Sequence, residues 1–168
     1  MCWGKTMEVI QAIQFAPIAD YPQFIPEMAT LSLTEWGDLF AAANIDREQF
    51  MAAMKQRTDA NKIPLTLVAV ADEQLLGYGS IKESEPGTRA GLTPWLAGMY
   101  VKQNLRGNGI GNTIVQALEQ KARELGFAEI FLSTDKAEAF YHKMGWQTLE
   151  HIRSYGSRDV ALMRKFLQ

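Results

Sequence analysis

The chain has 168 residues, 47% hydrophobic and 21% charged, with a formal charge of −2, which fits one folded domain with its own core and argues against disorder. That charge offers no basic field for nucleic acid, no apolar run approaches the roughly 18 to 20 residues of a membrane span, and the opening MCWGKTMEV lacks a secretory apolar segment. A cytoplasmic protein with no nucleic-acid or membrane partner is expected. Cys2 is the only cysteine, which leaves no intrachain disulfide and no thiolate metal cluster, and no metal site is expected.

Residues 7–14 (MEVIQAIQ) mix β-branched and apolar residues ahead of Pro17 and predict an opening strand. Residues 20–33 carry Pro22 and Pro26 among apolar positions, the pattern of a short or broken helix entered through proline. Residues 46–58 predict a second helix, because Phe50, Met51 and Met54 share a face and Asp46 with Gln49 resembles a capping box. Beyond Pro64, residues 65–71 and 75–82 read as an antiparallel hairpin turning at Asp72 and Glu73. A Gly-, Pro-, Ser- and Thr-rich loop then leads to a strand over residues 95–101 (WLAGMYV).

After the stretch RGNGIG (residues 106–111), Ile110, Ile114, Val115, Leu118, Ala122 and Leu125 recur at helical spacing up to Gly126. Residues 129–133 predict a short buried strand, 136–144 a short helix, and 146–152 with 160–166 a last pair of strands. An antiparallel meander followed by alternating strands and helices implies one α/β domain over residues 1–168, with its core from about residue 7. Its sheet is expected to be mixed, mostly antiparallel and flanked by helices.

A strand feeding a glycine loop that opens a helix is an anion site, since unpaired N–H groups and the helix dipole both favour negative charge. A P-loop would need Lys and then Ser or Thr after the last glycine, but Asn112 and Thr113 follow Gly111. A dinucleotide loop needs GxGxxG, whereas Gly107, Gly109 and Gly111 are spaced GxGxG; Asp135 could still stand in for its ribose acid. A tight turn packing helix on strand is the structural alternative. Arg106, Gly109 and Gly111 also satisfy RxxGxG.

RxxGxG, the segment AEAFYHKMGW (residues 137–146) and the predicted element order together resemble the GNAT superfamily of acyl-CoA-dependent N-acyltransferases. The resemblance implies a GNAT-like fold, acetyl-CoA as co-substrate, and transfer of an acetyl group to a primary amine of a small molecule or peptide. It assigns the backbone of Met99, Tyr100 and Val101 to the pantetheine arm and Arg106, Gly107, Asn108, Gly109, Ile110, Gly111 and Asn112 to the pyrophosphate. Thr134 stands where the family often has a cofactor-contacting asparagine. Tyr141 matches the residue that protonates the departing thiolate; its alternative is a core tyrosine. A homodimer is also implied.

The glutamate that many members carry on the strand before the loop has no counterpart in WLAGMYV. Glu35, Asp38, Glu83, Glu85 and His151 are the other candidates for a general base, and His142, beside Tyr141 on a helix, points elsewhere. The segments TPWLAGMYV and FLSTDKAEAFYHKMGW look more particularly like bacterial members related to acetyltransferases of protein or peptide N-termini. A non-catalytic acyl-CoA-binding domain is the other reading the loop allows.

Overall fold

The computed structural model describes residue 8, residues 12–154 and residues 158–168. In chain order it contains β1 (Gln14–Pro17), two short 3-10 turns, α1 (Ile25–Glu35), α2 (Gly37–Ala42) and α3 (Arg47–Lys55). β2 (Leu65–Ala71), β3 (Gln74–Lys82) and β4 (Trp95–Val101) follow, then α4 (Ile110–Glu124), β5 (Glu129–Thr134), α5 (Glu138–Lys143), β6 (Gln147–Ser154) and β7 (Arg158–Phe166). The seven strands form one sheet in the order β1-β2-β3-β4-β5-β7-β6. Each neighbouring pair is antiparallel except β4 with β5.

The opening strand lies later than the sequence predicts. Residues 7 and 9–11 of that stretch fall outside the described residues, Glu8 is helical, and Ala12 N–H donates to Glu8 O at 3.1 Å in a helical turn. Pairing with β2 instead runs from Gln14 to Pro17. The other predicted elements stand where the sequence pattern places them, with ends shifted by a few residues, whereas α2 (Gly37–Ala42) has no counterpart among them. α3 opens with the capping box, Asp46 Oδ1 accepting from Gln49 N–H at 2.8 Å and Gln49 Oε1 from Asp46 N–H at 2.9 Å. Asp72 and Glu73 both take positive φ (49° and 60°), as a two-residue hairpin turn requires.

Because both faces of the central strands are covered, β2 is buried at every position and reads as a continuous apolar run. Leu65, Leu67, Ala69 and Ala71 pack with Ile114, Val115, Leu118 and Ala122 of α4. The alternate residues Val68 and Val70 pack with Ile25, Met28 and Ala29 of α1 and Phe50 and Met54 of α3. Gly77 lets α4 and β4 come close to β3, since a Cβ there would lie 2.4 Å from Tyr100 O and 2.8 Å from Ile114 Cδ1.

A buried carboxylate fixes α5 against α4. Glu119, 2% exposed, accepts from Trp146 Nε1 at 3.0 Å and from Lys165 Nζ at 2.9 Å, while the same ammonium donates to Met144 O at 2.7 Å. A buried carboxylate needs compensating charge and hydrogen bonds, and here that need joins α4, the turn after α5 and β7. Those contacts position the helix that carries Tyr141. Among the described residues no helix is long and apolar enough to cross a membrane.

Candidate active site

The sheet opens between its two middle strands. β4 and β5 pair at one register position, Trp95 opposite Phe131, where Phe131 N–H donates to Pro94 O at 3.0 Å. Beyond it β4 has no strand partner on that edge among the described residues, so the run containing Met99, Tyr100 and Val101 presents main-chain N–H and C=O groups to whatever enters. The ladder to β3 also slips between Tyr78 and Ser80, a bulge that coincides with Gly98 at φ +59°. A glycine inside a strand pattern signals such a kink, and sequence reasoning passed over it.

The glycine loop adjoins the C-terminal end of this edge. Gly109 is the N-cap of α4 at φ +83°, where a side chain would be strained, and it supplies no capping side chain. The first-turn N–H groups at Gly111 and Asn112 are therefore left to a ligand or water, and no acidic residue stands in that turn to oppose an anion. A Cβ on Gly111 would come within 3.5 Å of the Phe140 ring and 3.8 Å of Val101 Cγ2. The bare backbone at 111 leaves that space between α4, α5 and β4 for an incoming group. Coenzyme A, an anionic pyrophosphate with an extended amide-bearing arm, has the chemistry these two features accept.

Arg106 does not reach over the loop as a free cation. Its Nε donates to Val101 O at 2.9 Å, its guanidinium lies 5.1 Å from the Tyr100 ring centre, and Nη2 reaches Glu35 Oε2 at 3.4 Å. It fixes the end of β4 and orients the loop. Asn108 turns inward and donates from Nδ2 to Leu105 O at 3.1 Å. Thr134 Oγ1 accepts from Ala137 N–H at 3.0 Å and so caps the approach to α5. Gly107, Asn108 and Gly109 are exposed, and Ile110 anchors the helix in the core.

Tyr141 lies on α5, 5% exposed, edge-on to Phe140 at 5.0 Å and to Trp146 at 5.7 Å. It shares a core cluster with Val101, Ile110 and Leu132 of β4, α4 and β5. Burial pushes its phenol above the ordinary tyrosine range, so it stays protonated. Its hydroxyl has no hydrogen-bond partner among the described residues.

Most of the base candidates already hold partners. Glu35 meets Arg106, Asp38 is bonded by Arg158, and Glu85 meets Lys82 Nζ at 3.0 Å. His151 meets Glu138 at 3.1 Å, and His142 bonds Trp146 O through Nδ1 at 3.0 Å, away from the opening. Glu83 is exposed at the end of β3 and has no ion pair among the described residues.

The acetyltransferase (GNAT) family profile matches residues 26–146. The chain belongs to the acetyltransferase (GNAT) family. It is accordingly an acyltransferase, with acetyl-CoA as its co-substrate. Solved structures agree on the fold. An aminoglycoside 6'-N-acetyltransferase complexed with coenzyme A superposes with a TM-score of 0.70 at 16% identity, covering 92% of this chain and 97% of that one. YncA from Salmonella typhimurium, solved with acetyl-CoA, gives 0.69 at 16% identity, covering 94% and 95%. PaiA N-acetyltransferase from Thermoplasma acidophilum, in complex with coenzyme A, gives 0.67 at 21% identity, covering 92% and 98%.

Proposed function

We propose that this protein transfers the acetyl group of acetyl-CoA directly to a primary amine of a small molecule or peptide, with Tyr141 as the general acid. The chain from about residue 7 to 168 acts as one domain, in the cytoplasm, and assembles as a homodimer. The neutral amine attacks the thioester carbonyl carbon, the C–S bond breaks, and the Tyr141 hydroxyl delivers its proton to the departing sulfur. Tyrosine then regains a proton from the acylated ammonium through solvent, so charge and protons balance. A thiolate with a solution pKa near about 8.5 leaves more readily when protonated.

One observation carries this reading: a protonated phenol on a buried ring, its hydroxyl bonded to no described residue and open to solvent, beside an unpaired strand edge and an uncapped helix N-terminus. The backbone of Met99, Tyr100 and Val101 would hold the pantetheine arm, and a main-chain N–H of the same stretch would meet the developing oxyanion. The loop at Arg106, Gly107, Asn108, Gly109, Ile110, Gly111 and Asn112 would hold the pyrophosphate, with Thr134 beside the arm. No carboxylate on β4 serves as a base, which suits an amine that loses its proton easily; an α-amino group, at about 7.7 to 8.0, does so far more readily than a lysine at about 10.4.

Thermal shift with acetyl-CoA and with NAD tests the binding half: stabilisation by the former alone is expected, and a preference for NAD would overturn it. Thiol release on polyamines, aminoglycosides, free lysine and α-amino peptides tests the transfer half. Rates that never exceed the hydrolysis background on any amine would sink the transferase mechanism.

A further inference from the structure

Arg57 is a cation whose charge the described residues do not answer. It follows α3 by two residues and turns into the sheet, where Nη1 donates to Thr66 Oγ1 at 2.6 Å and to Ser80 Oγ at 2.8 Å. The two hydroxyls bond each other at 2.8 Å, so this little network is complete without further help. Hydroxyls satisfy donors; they do not neutralise a charge. Desolvation lowers the guanidinium to about 10, and no carboxylate acts on it. Asp59, the acid next along the chain, accepts instead from Asn61 N–H at 2.8 Å.

The other half-buried cations among the described residues are paired, for example Lys165 with Glu119 and Arg158 with Asp38 and Asp135. Removing a guanidinium from water without a counter-charge is costly by several kcal/mol, so the exception asks for an anion supplied from outside. The geometry of the donors says which kind. Nη1 holds both hydroxyls, while Nε and Nη2 hold no described acceptor, and Arg57 has no enclosed nitrogen left unpartnered, so this edge reaches solvent. The Nε–Nη2 edge is the fork that grips a carboxylate through two parallel hydrogen bonds. One positive charge matches one carboxylate and underfills a phosphate dianion.

Its place in the fold connects it to the chemistry. Ser80 lies opposite Ala97 in the β3–β4 ladder, next to the kink at Gly98, on the sheet face covered by α1 and α3 rather than by α4. Ala97 is half-buried and Gly98 exposed, so the face opens there. The guanidinium stands one strand away from the stretch of β4 where the proposed transfer occurs, at the end of β4 remote from the glycine loop.

Resting on the acetyltransferase reading above, we infer that the acceptor carries a carboxylate beside its amine and that Arg57 is the counter-ion that positions it. Such a residue sets specificity without touching the reacting atoms.

The test uses the full chain and matched amines that differ only in the carboxylate: phenylalanine with phenethylamine, methionine with methioninamide, lysine with cadaverine. For at least one pair kcat/KM should favour the carboxylate by roughly 10- to 100-fold, mostly through KM. Arg57→Met should bring that ratio close to one while stabilisation by acetyl-CoA persists. Arg57→Lys, which keeps the charge but loses the fork, should fall between, and it carries the test should Arg57→Met not fold. Ratios near or below one in the parent chain, or a ratio that survives Arg57→Met, would overturn the inference while leaving transfer itself intact.

If no amine turns over, the acetyltransferase mechanism fails instead. Arg57 is then judged by product binding with coenzyme A present. N-acetylphenylalanine should stabilise the protein and N-acetylphenethylamine should not, with the difference lost in Arg57→Met. Equal binding, or none, counts against the carboxylate site.

Discussion

Tyr78 and Tyr141 are buried to nearly the same degree, 3% and 5% exposed, and burial pushes the phenol of each upward. Their surroundings differ. Tyr78 on β3 lies under α1, its hydroxyl 2.6 Å from Ser32 Oγ and donating to Met28 O at 3.3 Å, and its ring stacks on Tyr100 at 5.4 Å. Tyr141 is held by rings alone, with its hydroxyl left over. The Tyr141 hydroxyl is not among the enclosed side-chain atoms left without a partner, so this end of the buried ring reaches solvent and is open to a ligand. The first hydroxyl is tied into the α1–β3 contact, whereas the second bonds no described residue, as the proposed general-acid role requires.

The widest separation between them should appear in turnover. Tyr141→Phe removes a hydroxyl that bonds no described group, so the melting temperature should change little, while kcat falls by roughly 10²- to 10⁴-fold as expected for loss of a general acid. Unchanged kcat would make Tyr141 another core tyrosine and return the acid role to water.

Tyr78→Phe should show the reverse. It strands Ser32, 1% exposed at the α1–β3 contact, and should cost about 1–3 kcal/mol in urea unfolding. Saturating kcat should stay within about twofold, because the variant keeps the ring that stacks on Tyr100 of β4 and loses only a hydroxyl that faces α1. A large loss of kcat with stability intact would erase the contrast between the two residues.

Much of this contrast lay beyond the reach of sequence. The resemblance of FYHKMGW to a family segment marked Tyr141, and RGNGIG marked the uncapped helix because glycine spacing is a local signal. The hairpin and α4 were legible for the same reason: alternation and the 3.6-residue repeat describe faces, and faces decide packing. Tyr78 carried no sign that its hydroxyl would find Ser32, 46 residues away. The divergence of β4 from β5 is a property of two strands and appears in neither alone, although Gly98 hinted at the kink. Arg57 reads as an ordinary helix-end cation until Thr66 and Ser80 are placed around it. Arg106, read as a phosphate ligand, is found holding the end of β4, since Val101 O lies within its reach only after the chain turns. The opening strand was displaced because pairing with β2, rather than composition, decides which residues extend.

At high pH the two tyrosines should converge. Both phenols have folded pKa values raised above the unfolded value of about 10, so each contributes stability that is complete below that pH and lost as pH rises through the folded value. Above pH 10 each adds up to about 1.4 kcal/mol of loss per pH unit. Tyr78→Phe and Tyr141→Phe should therefore each flatten the alkaline decline by one proton's worth. Chemical denaturation at pH 9, 10 and 11 reads this directly; a decline that neither variant alters would mean that burial does not control these groups.

The smallest effect concerns the other tie between α1 and the sheet. Ser32–Tyr78 is buried, whereas three residues later Glu35 meets Arg106 at 3.4 Å with both side chains about two-fifths exposed (39% and 42%). Exposed pairs contribute about 0.2–1 kcal/mol and are screened by salt, so Glu35→Gln should shift stability at the low end of that range and not at all in 1 M NaCl. Arg106 keeps Val101 O and the face of Tyr100 in the variant, and affinity for acetyl-CoA should hold within about twofold. A fall in kcat at unchanged acetyl-CoA affinity would point instead to Glu35 as the missing base, because a carboxylate that merely tethers Arg106 has no reason to act on the chemical step.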